Sequence, residues 1–306
     1  MVGEALLDLV ADAAGESFAA HPGGSPANVA VGLARLGTPV TLATQLADDL
    51  PGRLVAGHLR ASGLALRTLP GRTGATSLAL ASVDAHGAAA YDFRLAWDIT
   101  RVPEIDPGCV CVHTGSIAAG MPPGSDVVER MLAAQHAAGR TISYDPNIRP
   151  SLMGPRESER ARVERQVTYT QVVKSSAEDL DWLYPGEPVE AVAARWLATG
   201  PALVVVTLGA GGAYAVSRSG PVRRPAVPVT VVDTVGAGDA FMAGLLDALF
   251  RSGLLDAGRR DVLTGIDQRA VAEVVDVASR VAAYTCGRPG AQPPTRAELD
   301  STPVTG

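Results

Sequence analysis

Two acids and a glycine pair lie close enough to do chemistry together: Asp233, Gly236, Ala237, Gly238 and Asp239. The β-branched run Val229 to Val232 predicts a strand, the glycines a tight turn, and the apolar spacing from Asp239 to Phe250 a helix. At a helix start the first backbone N–H groups lack intrahelical acceptors, and the positive end of the helix dipole faces outward. Glycine lets a ligand approach those amides closely, so the turn is a candidate anion site. Asp239, in the first helical turn, could accept a proton from an attacking group while the amides hold the developing negative charge. The same residues also suit a plain helix cap and chain reversal, so the rest of the sequence has to discriminate.

Three further segments carry comparable groups. Gly23 and Gly24 open an apolar helix that runs through Asn28 to Leu36 and is closed by Gly37, and Asp8 stands near the end of a first strand, Val2 to Val10. Asp145 to Arg149 follows the strand Thr141 to Tyr144, at the carboxyl end where open α/β sheets bind ligands. Thr207 to Gly212 follows the strand Ala202 to Thr207 and reads as a hairpin. A Walker A loop is excluded, because the only lysine of the chain, Lys174, follows Val173 rather than glycine. Phe241 and Tyr214 stand where a dinucleotide fingerprint needs glycine or alanine, and neither HExxH nor GxSxG occurs.

The elements that position these groups alternate. Strands begin near Cys109, Thr141, Thr170 and Ala202, and helices are predicted over Gly52 to Ser62, Asp126 to Ala138, Glu157 to Gln166, Glu178 to Leu183, Val189 to Ala198 and Gln268 to Tyr284. That rhythm implies one α/β domain over residues 1–306 with a mainly parallel sheet covered by helices on both faces. Segments 10–22 and 76–100 fall outside it; strands Ser77 to Ala81 and Ala89 to Arg94, about the turn Asp84 to Gly87, predict a small sheet with no helix beside it, a candidate lid.

Composition narrows the classes. The 306 residues are 47% hydrophobic and 19% charged with net charge −6, and mean hydropathy is +0.16. No apolar run is long enough for a membrane span, no signal peptide is visible, and a cytoplasmic location is expected. The acidic balance and the absence of basic runs argue against nucleic acid. Cys109, Cys111 and Cys286 form neither a disulfide framework nor a zinc site, and the five histidines show no ligand spacing.

In order along the chain, GGSPANVAVGLARLG at 23–37, DPNIR at 145–149, TLGAGG at 207–212 and DTVGAGDAF at 233–241 resemble the signatures of the ribokinase-like (PfkB) carbohydrate kinases. The resemblance spans Val2 to about Leu299 and implies a three-layer α/β/α sandwich with a small β-sheet lid, acting on a sugar and ATP with Mg²⁺. It implies that Asp239 is the base, that Gly236, Ala237 and Gly238 form the anion hole, and that Asp8, Gly23, Gly24 and Asn28 bind sugar hydroxyls. Asn147 and Arg149 resemble the family's substrate or phosphate contacts, and Arg94 is a second candidate for a substrate carboxylate. Lys174, Ser176, Thr207, Gly209, Gly212, Ser279 and Ala282 fall on the nucleotide side. Ser176 and Asp179 replace the family's Asn-x-x-Glu, so Mg²⁺ contact through Asp179 or Glu178 would run through water. Asp233 resembles a monovalent-cation ligand, for K⁺, and equally suits a turn cap.

GEALLD at 3–8, DPNIRP at 145–150 and KSSAEDLDWLYPG at 174–186 look most like the fructokinase branch. A 2-keto-3-deoxygluconate kinase, ribokinase or another sugar kinase stays open, as does a catalytically inactive sugar-binding relative. A homodimer formed through the lid is expected.

Overall fold

A computed structural model describes residues 1–12, 15–83, 89–256 and 260–301. Among these residues twelve strands run in chain order: β1 Leu6–Ala11, β2 Phe18–Gly23, β3 Thr41–Thr44, β4 Ala65–Thr68, β5 Ser77–Val83, β6 Ala89–Arg94, β7 Cys111–Gly115, β8 Thr141–Asp145, β9 Val172–Ser176, β10 Leu203–Thr207, β11 Ala213–Ser217 and β12 Gly220–Arg224. Six of them form one sheet in the order β12-β11-β10-β9-β8-β7, parallel from β7 to β10 and antiparallel at the β11 and β12 edge. Because β7 to β10 are parallel, the segments after Gly115, Asp145, Ser176 and Thr207 all emerge at one edge of the sheet.

Alternating side chains give this sheet two cores. Val204 and Val206 pack with Ile142, Val173, Met131, Val163 and Trp196 on one face. Leu203 and Val205 pack with Met242, Leu245, Leu249, Val271 and Val275 on the other. The second face is covered by helices Ala237–Arg251 and Gln268–Cys286, which approach closely because Gly244 has no Cβ to meet Ala278 and Val281. Helices on both faces of a mainly parallel sheet make the three-layer α/β/α arrangement expected from the alternation. Among the described residues no helix is long and apolar enough to cross a membrane.

A second sheet has the order β2-β1-β5-β6. The first predicted strand therefore divides. The Val2 amide donates to His113 O and that of Gly3 to Ala43 O, joining residues 1–3 to β7 and β3, and the chain then crosses to the second sheet as β1. One face of that sheet is covered, contrary to expectation: Leu7 packs with Val55 and Leu59 of helix Leu50–Ala61, and Leu78 lies against the same cluster. The predicted turn Asp84 to Gly87 lies outside the described residues. Among the described residues the run Val229 to Val232 belongs to no strand, and Val229, Val231 and Val232 are exposed. β-branched composition favoured a strand there, yet no neighbouring strand offers a ladder.

Candidate active site

Two helices aim their first turns at the strand ends, and both begin on a glycine in a conformation that L side chains rarely adopt. Helix Ser25–Arg35 starts at Gly24 (φ 103°) and helix Ala237–Arg251 at Gly236 (φ 73°), neither with a side-chain cap. Two other helices do carry such a cap: Asp49 accepts from the Gly52 amide, and Asp267 from that of Ala270. A Cβ at Gly24 would lie 2.7 Å from Glu4 O, and one at Gly236 2.4 Å from Ala291 Cβ, so glycine is required at both starts. In the anion turn the Ala237 amide folds back onto Thr234 O at 3.2 Å. The amides of Gly236, Gly238 and Asp239 have no acceptor among the described residues, so two of the expected trio are open donors and the Asp239 amide joins them.

Asp239 sits between the two helices at 7% exposure. Its Oδ1 accepts from the Ser25 hydroxyl at 2.6 Å and its Oδ2 from Asn28 Nδ2 at 2.9 Å. Ser25 Oγ in turn accepts from Asn147 Nδ2 at 2.8 Å, and Asn147 Oδ1 accepts from Arg149 Nη1 at 2.6 Å. One hydrogen-bonded chain thus links Arg149, Asn147, Ser25 and Asp239 across three segments. Asn147 has φ 40°, a costly backbone state for a non-glycine residue and one that collects at functional sites. Ser25, given no role from the sequence, is the central member of this chain; its only signal there was its place beside Gly24.

Below these groups Lys174 Nζ lies 2.9 Å from Asp145 Oδ2, with the side chains 3% and 1% exposed. Burial pushes the Asp145 carboxyl up to about 6 against the pull of Lys174, and Asp179 and Asp239 add to the rise. Burial also opposes the Lys174 charge, but Asp145, Asp179 and Asp239 outweigh it and hold its pKa above the ordinary lysine value. Asp179 is tied on both oxygens, by the Ile148 amide on Oδ1 and by the Ser176 amide on Oδ2, inside a capping box with Ser176. Glu178, beside it, is exposed. Among the described residues no three His, Cys, Asp or Glu side chains cluster to bind a metal.

Asp8 lies on β1 opposite His21, and a Cβ at Gly23 would lie 2.2 Å from Asp8 Oδ2. Burial pushes its carboxyl up to about 6, with His21 pulling the other way. Arg94 is not brought to Asp8. Register pairs Asp8 with Ala79 and Phe93, whereas Arg94 pairs with Leu78 on the opposite, helix-covered face, where it is exposed. Thr207 pairs with Ser176, which sets the hairpin after β10 beside the Lys174 strand. Gly209 (φ 55°) and Gly212 (φ 87°) shape that hairpin, and a Cβ on Gly212 would lie 2.1 Å from Arg224 O. Ser279 is buried and Ala282 half-buried on helix Gln268–Cys286. The Cys286 carbonyl of that helix accepts the amides of Val232 and Asp233. Asp233 accepts from the Val235 and Gly290 amides at 2.9 and 2.8 Å, and these bonds, Val235 first, lower its pKa.

Known proteins share this fold. The chain is 36% identical to a fructokinase of Rhizobium leguminosarum bv. trifolii over 88% of its own length and 84% of that protein's. It is similar in structure to a fructokinase of Xylella fastidiosa crystallised with bound ATP, with TM-score 0.87, 27% identity, and 98% and 96% of the two chains covered. A double-mutant fructokinase of Vibrio cholerae O395, crystallised with fructose, ADP and a potassium ion, superposes with TM-score 0.82 at 27% identity, covering 98% and 96%. The family model for pfkB family carbohydrate kinases matches residues 1–298, so this chain belongs to that family.

Proposed function

We propose that the protein is an ATP-dependent fructokinase. The observation that carries this reading is the carboxylate of Asp239 at the meeting point of the Gly24 helix start, the Asn147 loop and the open amides of its own helix. Asp239 accepts the proton of a sugar hydroxyl, the freed oxygen bonds the γ-phosphorus of ATP, and the bond to the bridging oxygen breaks to release ADP. Charge on the transferring group is met by the Gly238 and Asp239 amides, already oriented before the reaction. Ser25 and Asn28 keep Asp239 aimed, and Asp8, Gly23, Gly24 and Asn28 line the sugar. Arg149, bonded through Asn147 to the same chain, faces the substrate or its phosphate. Thr207, Gly209, Gly212, Ser279 and Ala282 form the nucleotide side, with Ser176 and Lys174 beneath it.

Both Asp179 oxygens already accept amide hydrogens, so Asp179 suits a water-mediated metal contact, with exposed Glu178 beside it. Mg²⁺ held there would neutralise phosphoryl oxygens. Asp233 staples the loops at 233–235 and 290, a frame suited to K⁺, the ion bound in the Vibrio cholerae enzyme. We read the chain as one domain whose β2-β1-β5-β6 sheet serves as a lid, pairing with a second copy through the exposed face around Phe18, and we place it in the cytoplasm, where ATP is supplied. The test is ADP release over fructose, 2-keto-3-deoxygluconate, ribose, tagatose and nucleosides, with and without magnesium, in potassium and in sodium buffers. Fructose is expected to give the highest kcat/KM; no release with any sugar refutes the kinase reading.

A further inference from the structure

Lys174 is the only lysine of the chain, and it is placed where an ammonium is hardest to keep. Its Nζ is paired with Asp145 Oδ2, while Asp145 Oδ1 is buried with no partner among the described residues. A Cβ at Gly238 would lie 3.1 Å from Nζ, so the ammonium packs against the turn whose Gly238 and Asp239 amides are open. Stability does not account for the pair. Two charges withdrawn from water cost more in desolvation than their attraction commonly returns, and apolar replacements of similar volume are often neutral or better. Nor does the lysine, at 3% exposure, offer surface to a nucleotide.

We propose that Asp145 is a positioning residue for phosphoryl transfer: it clamps Lys174 beneath the anion turn, so that a buried positive charge reinforces the Gly238 and Asp239 amides as negative charge develops on the transferring group. The proposal rests on the kinase reading above. Lys174 then acts through the field rather than as a ligand of ground-state ATP, and its effect belongs in kcat rather than in binding.

The test replaces the pair by an apolar one, Asp145→Leu with Lys174→Met, beside Lys174→Met and Asp145→Asn alone. The double variant is expected to keep the wild-type Tm and sugar Kd while kcat falls about 10²-fold, the loss typical of one removed oxyanion donor. Its affinity for ADP with aluminium fluoride, which mimics the transferring group, should fall in parallel while that for ADP alone stays constant. Lys174→Met should lower kcat at least as far as the double variant, because it leaves the Asp145 carboxyl, which feels Asp239, without its partner. A double variant with native Tm and wild-type kcat overturns the proposal. If the double variant does not fold, isosteric Asp145→Asn decides: lowered kcat at unchanged sugar Kd supports the clamp, and unchanged kcat refutes it. A wild-type protein that releases no ADP overturns the kinase reading, and this inference with it.

Discussion

Asp239 accepts two hydrogen bonds from the helix that opens at Gly24, so its carboxylate is aimed before any sugar arrives. Asp239→Asn should lower kcat by about 10²–10⁴-fold, the usual range for a general base, with sugar and ATP still binding by calorimetry; undiminished turnover would remove the base assignment. Glu4 gives a pH signature of folding. Burial raises its carboxyl to about 7, against hydrogen bonds from the backbone and Ser116 and the field of Arg149. A raised acid contributes stability that is full below its unfolded value and lost as pH rises through about 7. The Tm of Glu4→Gln relative to wild type should therefore rise between about pH 5 and pH 8, and a flat difference would refute the shift. Likewise the sugar KM should climb as pH falls through about 6, where Asp8 is neutralised. The motif acids Asp239, Asp145 and Asp8 could be read from the sequence as residues. Their partners could not: Lys174 lies 29 positions from Asp145, and Ser25 lies 214 from Asp239. Arg94 failed for a related reason, since only strand register decides which face it takes.

At the level of elements, glycine starts made the site legible and strand context limited it. The glycine-to-helix transitions at Gly24 and Gly236 were both visible, because positive φ and close approach leave little choice of residue. The strand read at Val229 to Val232 was not realised, since composition alone cannot supply a neighbour, and β4 and β12 carry too few apolar residues to announce themselves. Gly23→Ala tests how tightly the sugar element is built. Its Cβ would lie 2.2 Å from Asp8 Oδ2, so the carboxylate must swing away. Fructose affinity should fall about tenfold or more, roughly 1.4 kcal/mol, with ATP affinity unchanged. Unaltered fructose titrations would show that Asp8 does not bind the sugar.

For the whole molecule, strand and helix alternation in the second half predicted the layers and their order, whereas the path of residues 1–11 through two sheets was hidden in one short apolar run. The exposed Phe18 face gives the dimer its test. Phe18→Glu should convert a sedimenting dimer to monomer, and a monomeric wild type would exclude that assembly. The contact between helices Ser25–Arg35 and Ala237–Arg251 reaches further. Gly32 admits Ala243, whose Cβ would otherwise lie 2.6 Å away, and Ser25 and Asn28 bond Asp239 across the same seam. The group proposed to remove the proton is therefore registered against the element proposed to grip the sugar, although more than two hundred residues separate them. Recombination between relatives should feel this. A chimera that takes its amino-terminal third from one kinase and the remainder from another changes both sides of the seam independently, and only parents sharing the small residues at 32 and 243 should give active hybrids.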